Sequence, residues 1–307
     1  MARTIQDLPI TQLNGQPILT ANRLLNGAMS IDRRNSGALQ TIPATSVLTY
    51  TVDRWFCYAA GAAVTGQRTN NGFNGGYYYN ITGAAGNTGV GFGQRVTRDN
   101  ALIMAGKRIY GQAKINAPAG KIVTWTASGA SALDTFGTIL APAKTLVAKG
   151  DLIGQGYEYT YYFDFLLPTG AVLGGEILFT VSSLVAGESL GFADIQIEPD
   201  QSTVFQIACD EYNLDCCRQY YSIFNGSVFS GYGGVGTNCT YSYPLPNVYR
   251  APSVTSFGAI AYTNCALTNV TTDSVGISIT LTTATLGAFA MIAPLGSGFV
   301  ADAELYL

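Results

Sequence analysis

Along most of this chain apolar residues recur at every second position, the period of a strand with one face buried. Ile109, Gly111, Ala113 and Ile115 alternate with Arg108, Tyr110, Gln112 and Lys114. Val123 and Trp125 alternate with Ile122, Thr124 and Thr126, after a turn at Pro118-Ala119-Gly120. Tyr157, Tyr159, Tyr161, Phe163 and Phe165 oppose Glu158, Thr160, Tyr162 and Asp164. This last face reads as core packing behind a polar outer face. Ala193, Ile195 and Ile197 oppose Asp194, Gln196 and Glu198 before Pro199-Asp200 ends the strand. The pattern resumes at Val275–Thr282 and at Phe299–Tyr306. Trp55–Ala60 is a continuous apolar strand, and the glycine-rich Gly61–Gly93 reads as short strands and wide loops. Only one place changes period. From Asp210, the residues Leu214, Cys217 and Tyr221 fall on one face of a short helix. Asp210 and Glu211 in its first turn and Arg218 near its end suit the helix dipole.

These elements predict an all-β protein: a jelly-roll β-sandwich, a short connecting helix, and a smaller β-sandwich domain. The expected divisions are an extended arm at 1–22, the jelly roll at 23–208, the helix at 209–221 and the second domain at 222–307.

Composition then narrows the chemistry. Charged residues are 11% of the 307, against ~25% in ordinary domains. With 48% hydrophobic residues and 36 glycines, the exterior must be polar but nearly uncharged. The net charge of −3 comes with no basic cluster, which argues against nucleic acid and against an anionic membrane surface. The longest apolar run, Ala288–Leu295, falls far short of a membrane span. No signal-peptide pattern appears in Met1–Asn22, so a soluble protein made without export is expected. Histidine is absent, which removes the commonest general base and metal ligand together. Six cysteines without a CxxC, two of them the vicinal pair Cys216-Cys217, make a zinc site improbable; no cofactor is expected.

Several stretches, in this order, carry a resemblance. They are Leu24–Gly37 (LLNGAMSIDRRNSG), Tyr50–Trp55 (YTVDRW), Ile81–Val96, Ala119–Ala127, Phe192–Pro199 (FADIQIEP), Cys216–Tyr221 (CCRQYY) and Ala301–Leu305 (ADAEL). Together they resemble a family of bacteriophage and prophage virion proteins of the tail-fibre-like structural type. The resemblance implies a jelly roll like those of carbohydrate-binding modules, then a compact C-terminal β domain, in trimers on a virion surface.

Candidate sites follow. Tyr77, Tyr78, Tyr79 and Asn80 put rings beside an amide in an uncharged stretch, the chemistry that stacks on and hydrogen-bonds a sugar. Adjacent strand residues point alternately, so at least one of these tyrosines belongs to the core. Tyr232, Tyr241, Tyr243 and Tyr249 mark a second aromatic region, as a subunit interface or a binding surface. Cys209, Cys216, Cys217, Cys239 and Cys265 are disulfide candidates, oxidising after release from a reducing cytoplasm. For catalysis the carboxylate pairs are Asp194 with Glu198 and Asp210 with Glu211, and surface charge explains both better than a glycosidase does. The expectation is therefore a non-enzymatic virion surface protein, a fibre or fibre-like appendage that binds host glycan. It would be anchored to other virion proteins through the Met1–Asn22 arm. The alternatives are a head or neck decoration protein, and an enzymatic tailspike.

Overall fold

The computed structural model describes residues 12–13, 16–17, 22–71, 76–205, 214, 216–218, 220–225, 228–244, 252–272, 276–293 and 298–304. The chain divides into two compact units, Met1–Leu214 with Leu305–Leu307, and Asp215–Glu304.

In the first unit β1 (Gln12–Leu13) and β2 (Gln16–Pro17) pair as a small hairpin. The sandwich is built from β3 (Gln40–Ile42), β4 (Thr49–Tyr50), β5 (Trp55–Ala60), β6 (Val64–Asn71), β7 (Gly76–Thr82), β8 (Gly89–Val96), β9 (Arg108–Asn116), β10 (Ile122–Ala130), β11 (Lys144–Ile153), β12 (Glu158–Leu166), β13 (Gly175–Val181) and β14 (Ser189–Pro199). One sheet has the order β11-β10-β13-β8-β5-β4 and the other β12-β9-β14-β7-β6-β3. All pairs are antiparallel, and the chain crosses from sheet to sheet at most connections, giving a jelly roll.

Phe92 stands near the centre of the core. Its ring stacks on Trp55, Tyr79 and Phe192 at centroid distances of 5.1, 5.4 and 4.7 Å. On the other face of β8, glycines make room for a second group of rings, Phe56 and Tyr58. A Cβ on Gly91 would lie 2.1 Å from the Tyr58 ring, and one on Gly93 2.5 Å from the Ile177 carbonyl oxygen. The glycine-rich stretch is richer in strand than the short strands and wide loops its composition suggested. It holds β6, β7 and most of β8, strands of seven and eight residues whose glycines leave room for aromatics.

Two elements stand out among those with no counterpart in the sequence reading. One is β11, whose burial follows no clean alternation. The other is the seven-residue helix α1 (Arg98–Met104), which buries Ala101 and Met104 over a cavity of about 20 Å³, room for one water.

The motif stretches Leu24–Gly37 and Tyr50–Trp55 meet in one buried polar knot. The Asn26 amide donates to the carbonyls of Ile31 and Asp53 and accepts from the Ile31 N–H. Its backbone carbonyl accepts from the Trp55 indole N–H at 3.0 Å. Asp53 receives the Arg33 backbone N–H at 3.0 Å and its Nε at 2.6 Å. Asp32 receives the N–H groups of Asn35 and Gly37. These residues hold a loop together. In the same unit Arg95 and Glu176, both about 1% exposed, pair at 3.1 Å, and Lys144 contacts the other Glu176 oxygen.

The strand β14 departs from plain alternation. Its register slips between Ala193 and Gln196, and Asp194 sits there at φ +48°. Such a bulge adds one residue and re-aims its neighbours. Phe192, Ile195 and Ile197 therefore enter the core, while Ala193 pairs with Lys114. Beyond the bulge β7 no longer pairs with β14. Asn22–Gly27 takes its place, with Arg23 N–H to Ile197 O and Ile195 N–H to Gly27 O.

Leu214, at the end of the first unit, and Cys216, Cys217 and Arg218, at the start of the second, are helical; Asp210 and Glu211 lie outside the described residues. The strands are β15 (Tyr221–Asn225), β16 (Val228–Gly233), β17 (Asn238–Pro244), β18 (Ser253–Phe257), β19 (Ala261–Thr263), β20 (Cys265–Thr272), β21 (Gly276–Thr283), β22 (Gly287–Ile292) and β23 (Gly298–Asp302). They make three three-stranded sheets, β15-β23-β18, β16-β22-β19 and β17-β21-β20. The chain visits the three sheets in turn, twice in one order and once in reverse. The last three strands are therefore the central ones. Ile277, Ile279 and Leu281 from one sheet, Phe229, Phe289 and Met291 from another, and Phe299 and Ala301 from the third close on one core. Left-handed residues stand at the corners, Gly236 at φ +72°, Gly258 at +67° and Asn264 at +52°.

Candidate functional site

The face of β12-β9-β14-β7-β6-β3 turned away from the core carries a row of polar side chains. Alternation places Tyr79 and Ile81 of β7 inside, so Tyr78 and Asn80 point outward. Pairing then lines up one row across five strands: Gln67, Asn80, Gly191, Asn116 and Glu158. The neighbouring row contains Thr69 and Tyr78 on β6 and β7, and Ala193, Lys114 and Thr160 on β14, β9 and β12.

Gly191 makes a gap in the middle of the first row. The position a Cβ would take lies 3.5 Å from Asn116 Cβ, 3.6 Å from Asn80 Oδ1 and 3.8 Å from Tyr78 Cδ1. The result is a notch floored by backbone, walled by two amides and one phenol ring. Among the described residues the side chains of Asn80, Asn116 and Tyr78 make no hydrogen bond. Gln67, at the row's end, is tied down through its amide to the Gly37 carbonyl at 2.9 Å.

Beside the notch stand three charges. Lys114 Nζ lies 2.5 Å from Asp194 Oδ2 and 3.3 Å from Glu158 Oε1. The bulge puts Asp194 on this face, at a φ that Asp tolerates better than most residues. Further along β14 the same face is closed. Glu198 is 1% exposed and accepts from the Thr203 N–H and hydroxyl, and the Gln196 amide donates to the same hydroxyl. Asp194 and Glu198 thus do not share a solvent-facing row, as strict alternation had suggested. One sits by the notch and the other is buried under residues 200–205.

The tyrosine triplet divides. Tyr78 and Asn80 flank the notch. Tyr79 is 1% exposed in the core, where burial pushes its phenol well above the ordinary range. Tyr77 turns inward and packs under the Arg68 guanidinium, 4.4 Å from its ring centroid. On β12 the aromatic face is only partly core. Phe163 and Phe165 are buried, but Tyr159 and the preceding Tyr157 are 47% and 58% exposed, because the edge of the sandwich leaves them uncovered. In the second unit Tyr232 is exposed, whereas Tyr241 packs on Phe229 and donates to the Ser230 carbonyl, so the two do not form one surface. The Tyr243 side chain, Tyr249 and Cys209 lie outside the described residues. No disulfide joins Cys57, Cys216, Cys217, Cys239 and Cys265 to one another. Asn116, Gly191 and Lys114 were not singled out in the sequence, since only cross-strand register brings them to Asn80.

No protein-family model and no curated protein matches the sequence. Among solved structures the chain is similar to a CBM4 module, at 16% identity and TM-score 0.35, over 57% of this chain and 98% of that one. It is also similar to the enzymatically active domain of tailspike protein 4 of bacteriophage CBA120. That match has 14% identity and TM-score 0.34, over 58% of this chain and 21% of that one. A third is the CBM22-1-GH10 portion of the xylanase 10B of Clostridium thermocellum, complexed with xylohexaose. Here identity is 17% and TM-score 0.32, over 54% of this chain and 29% of that one. The chain spans less than a third of the last two structures. No helix among the described residues is long and apolar enough to cross a membrane.

Proposed function

We propose that this chain is a non-enzymatic glycan-binding protein of a bacteriophage particle surface, a fibre or fibre-like appendage. Its saccharide platform is the outer face of the β12-β9-β14-β7-β6-β3 sheet. The observation that carries the binding reading is the Gly191 notch, with the unpaired amides of Asn80 and Asn116 on either side and the Tyr78 ring at its edge. A pyranose offers C–H groups to a ring and hydroxyls to amides and carboxylates, and this arrangement supplies each partner. A backbone floor lets the sugar approach the sheet closely.

Binding without hydrolysis fits the charges. A glycosidase keeps the space between its two carboxyl groups for the sugar and for water. Here the Lys114 ammonium contacts both Asp194 and Glu158 and occupies that space. The particle location rests on the ordered motifs from Leu24–Gly37 to Ala301–Leu305, and with it go a trimer and an anchoring role for Met1–Asn22. The test is a glycan array probed with the full chain and with Tyr78→Ala and Asn80→Ala. The proposal expects defined glycans to be retained by the parent and lost by both variants. Binding that both variants keep would move the site elsewhere.

A further inference from the structure

We infer that the Gly191 notch selects uncharged saccharides and rejects acidic ones, a conclusion that rests on the glycan-binding reading above. The two rows that form the platform hold one cation, Lys114, and it faces two carboxylates, so the notch carries a net charge of about −1. Lys114 is also the less available partner. Its side chain is 18% exposed, against 25% for Asp194 and 35% for Glu158. A sugar carboxylate arriving at the notch meets carboxylate oxygens first, and it could reach the ammonium only by displacing one of them.

Other cations cannot take its place. Arg68 lies on β6 next to Gln67, but its side chain turns inward to Asp32, the Ser30 carbonyl and the Tyr77 ring. Arg108 is paired with Asp164 at the far end of β9. The carboxylates meanwhile suit a neutral sugar, since each can accept hydroxyl protons. The backbone adds a separate indication. Asp194 holds a left-handed φ of +48° at a bulge, a conformation that costs energy and recurs where a side chain is aimed at a ligand. Without the extra residue, strict alternation from Ala193 would turn Asp194 toward the core.

The experiment uses matched oligosaccharides that differ only in one uronic acid replacing its parent hexose. They are titrated into the full chain, Asp194→Asn, and the double variant Asp194→Asn with Glu158→Gln. Asn accepts a left-handed φ, so the bulge survives, and tryptophan emission checks the fold. The parent should bind the neutral member at least about tenfold more tightly than the acidic one at low salt. In the double variant Lys114 has lost both anionic partners and the net charge is about +1, so the preference should shrink to about threefold or reverse. Raising the salt to ~1 M should erase most of this difference. Equal binding of both members by the parent, or an unchanged ratio in the double variant, overturns the charge selection. If neutral sugar still binds in that case and Tyr78→Ala abolishes it, the glycan reading stands alone. If no oligosaccharide binds any of the proteins, both fail.

Discussion

Replacing Glu176 by Gln should destabilise the sandwich severely, although the change is nearly isosteric. Arg95 is about 1% exposed, and Glu176 is its buried anionic partner at 3.1 Å. After substitution the guanidinium keeps neutral contacts that include the Gly137 carbonyl at 2.9 Å and the faces of Phe136 and Phe56 at 4.8 and 5.6 Å. Those contacts do not balance a full charge out of water. Lys144 also loses a partner, but at 15% exposure its ammonium can turn to solvent. The dominant cost falls on Arg95, which keeps its charge in a buried site while its carboxylate partner becomes neutral. Breaking a buried pair from one side costs ~3–5 kcal/mol, out of the ~5–15 kcal/mol by which a domain is stable. Replacing both partners, Arg95→Met with Glu176→Leu, removes the charge along with its need and should cost much less. Both tryptophans, Trp55 and Trp125, lie in the first unit, so tryptophan emission during urea unfolding reports on the sandwich alone. With a slope of ~2 kcal/mol per molar urea, Glu176→Gln should lower the midpoint by about 1.5–2.5 M. A shift below ~0.3 M, or a double variant less stable than the single one, would refute the reasoning.

Two further outcomes follow from the same core. Burial, then the Glu176 carboxylate, push the Tyr58 phenol up to about 12. A folded value above the unfolded one means that the stabilisation is complete below pH ~10 and is lost as pH rises from there toward 12. Unfolding midpoints should be flat near neutrality and fall in that window, and less steeply in Tyr58→Phe. Gly93→Ala should disrupt the sandwich by ~3 kcal/mol or more, because its Cβ would meet the Ile177 carbonyl oxygen at 2.5 Å and a backbone atom of a central strand cannot step aside. A circular-dichroism melt unchanged by that substitution would contradict the packing described.

Strand alternation made most of the jelly roll legible, because a half-buried strand writes its face into the sequence at period two. It failed where the backbone departs from that period. The bulge at Asp194 shifted the faces of β14, and it coincides with a change of neighbour, from β7 to Asn22–Gly27, which no local pattern records. The glycine-rich stretch holds longer strands than its composition suggested, for a related reason. Gly91 and Gly93 are strand residues that make room for Tyr58 and Phe56, and composition alone cannot distinguish them from loop glycines. The tyrosine triplet was recognisable as aromatic chemistry, and alternation implied that it must split. Which tyrosine faced solvent, and that Asn116, Gly191 and Lys114 would stand beside it, depended on register across β7, β14 and β9. The motifs that carry the family resemblance proved informative about folding. Asn26, Asp32, Asp53 and Trp55 tie a loop, and none of them lies on the proposed platform.

The most direct test of the account is to locate a bound saccharide. Amide chemical shifts of the labelled protein should be followed while a neutral oligosaccharide retained on the array is added. The account predicts that the residues which shift cluster on β7, β9 and β14 around Asn80, Asn116 and Gly191, with Tyr78→Ala abolishing the response. Shifts confined to the exposed Tyr157–Tyr162 edge or to the second unit would contradict it.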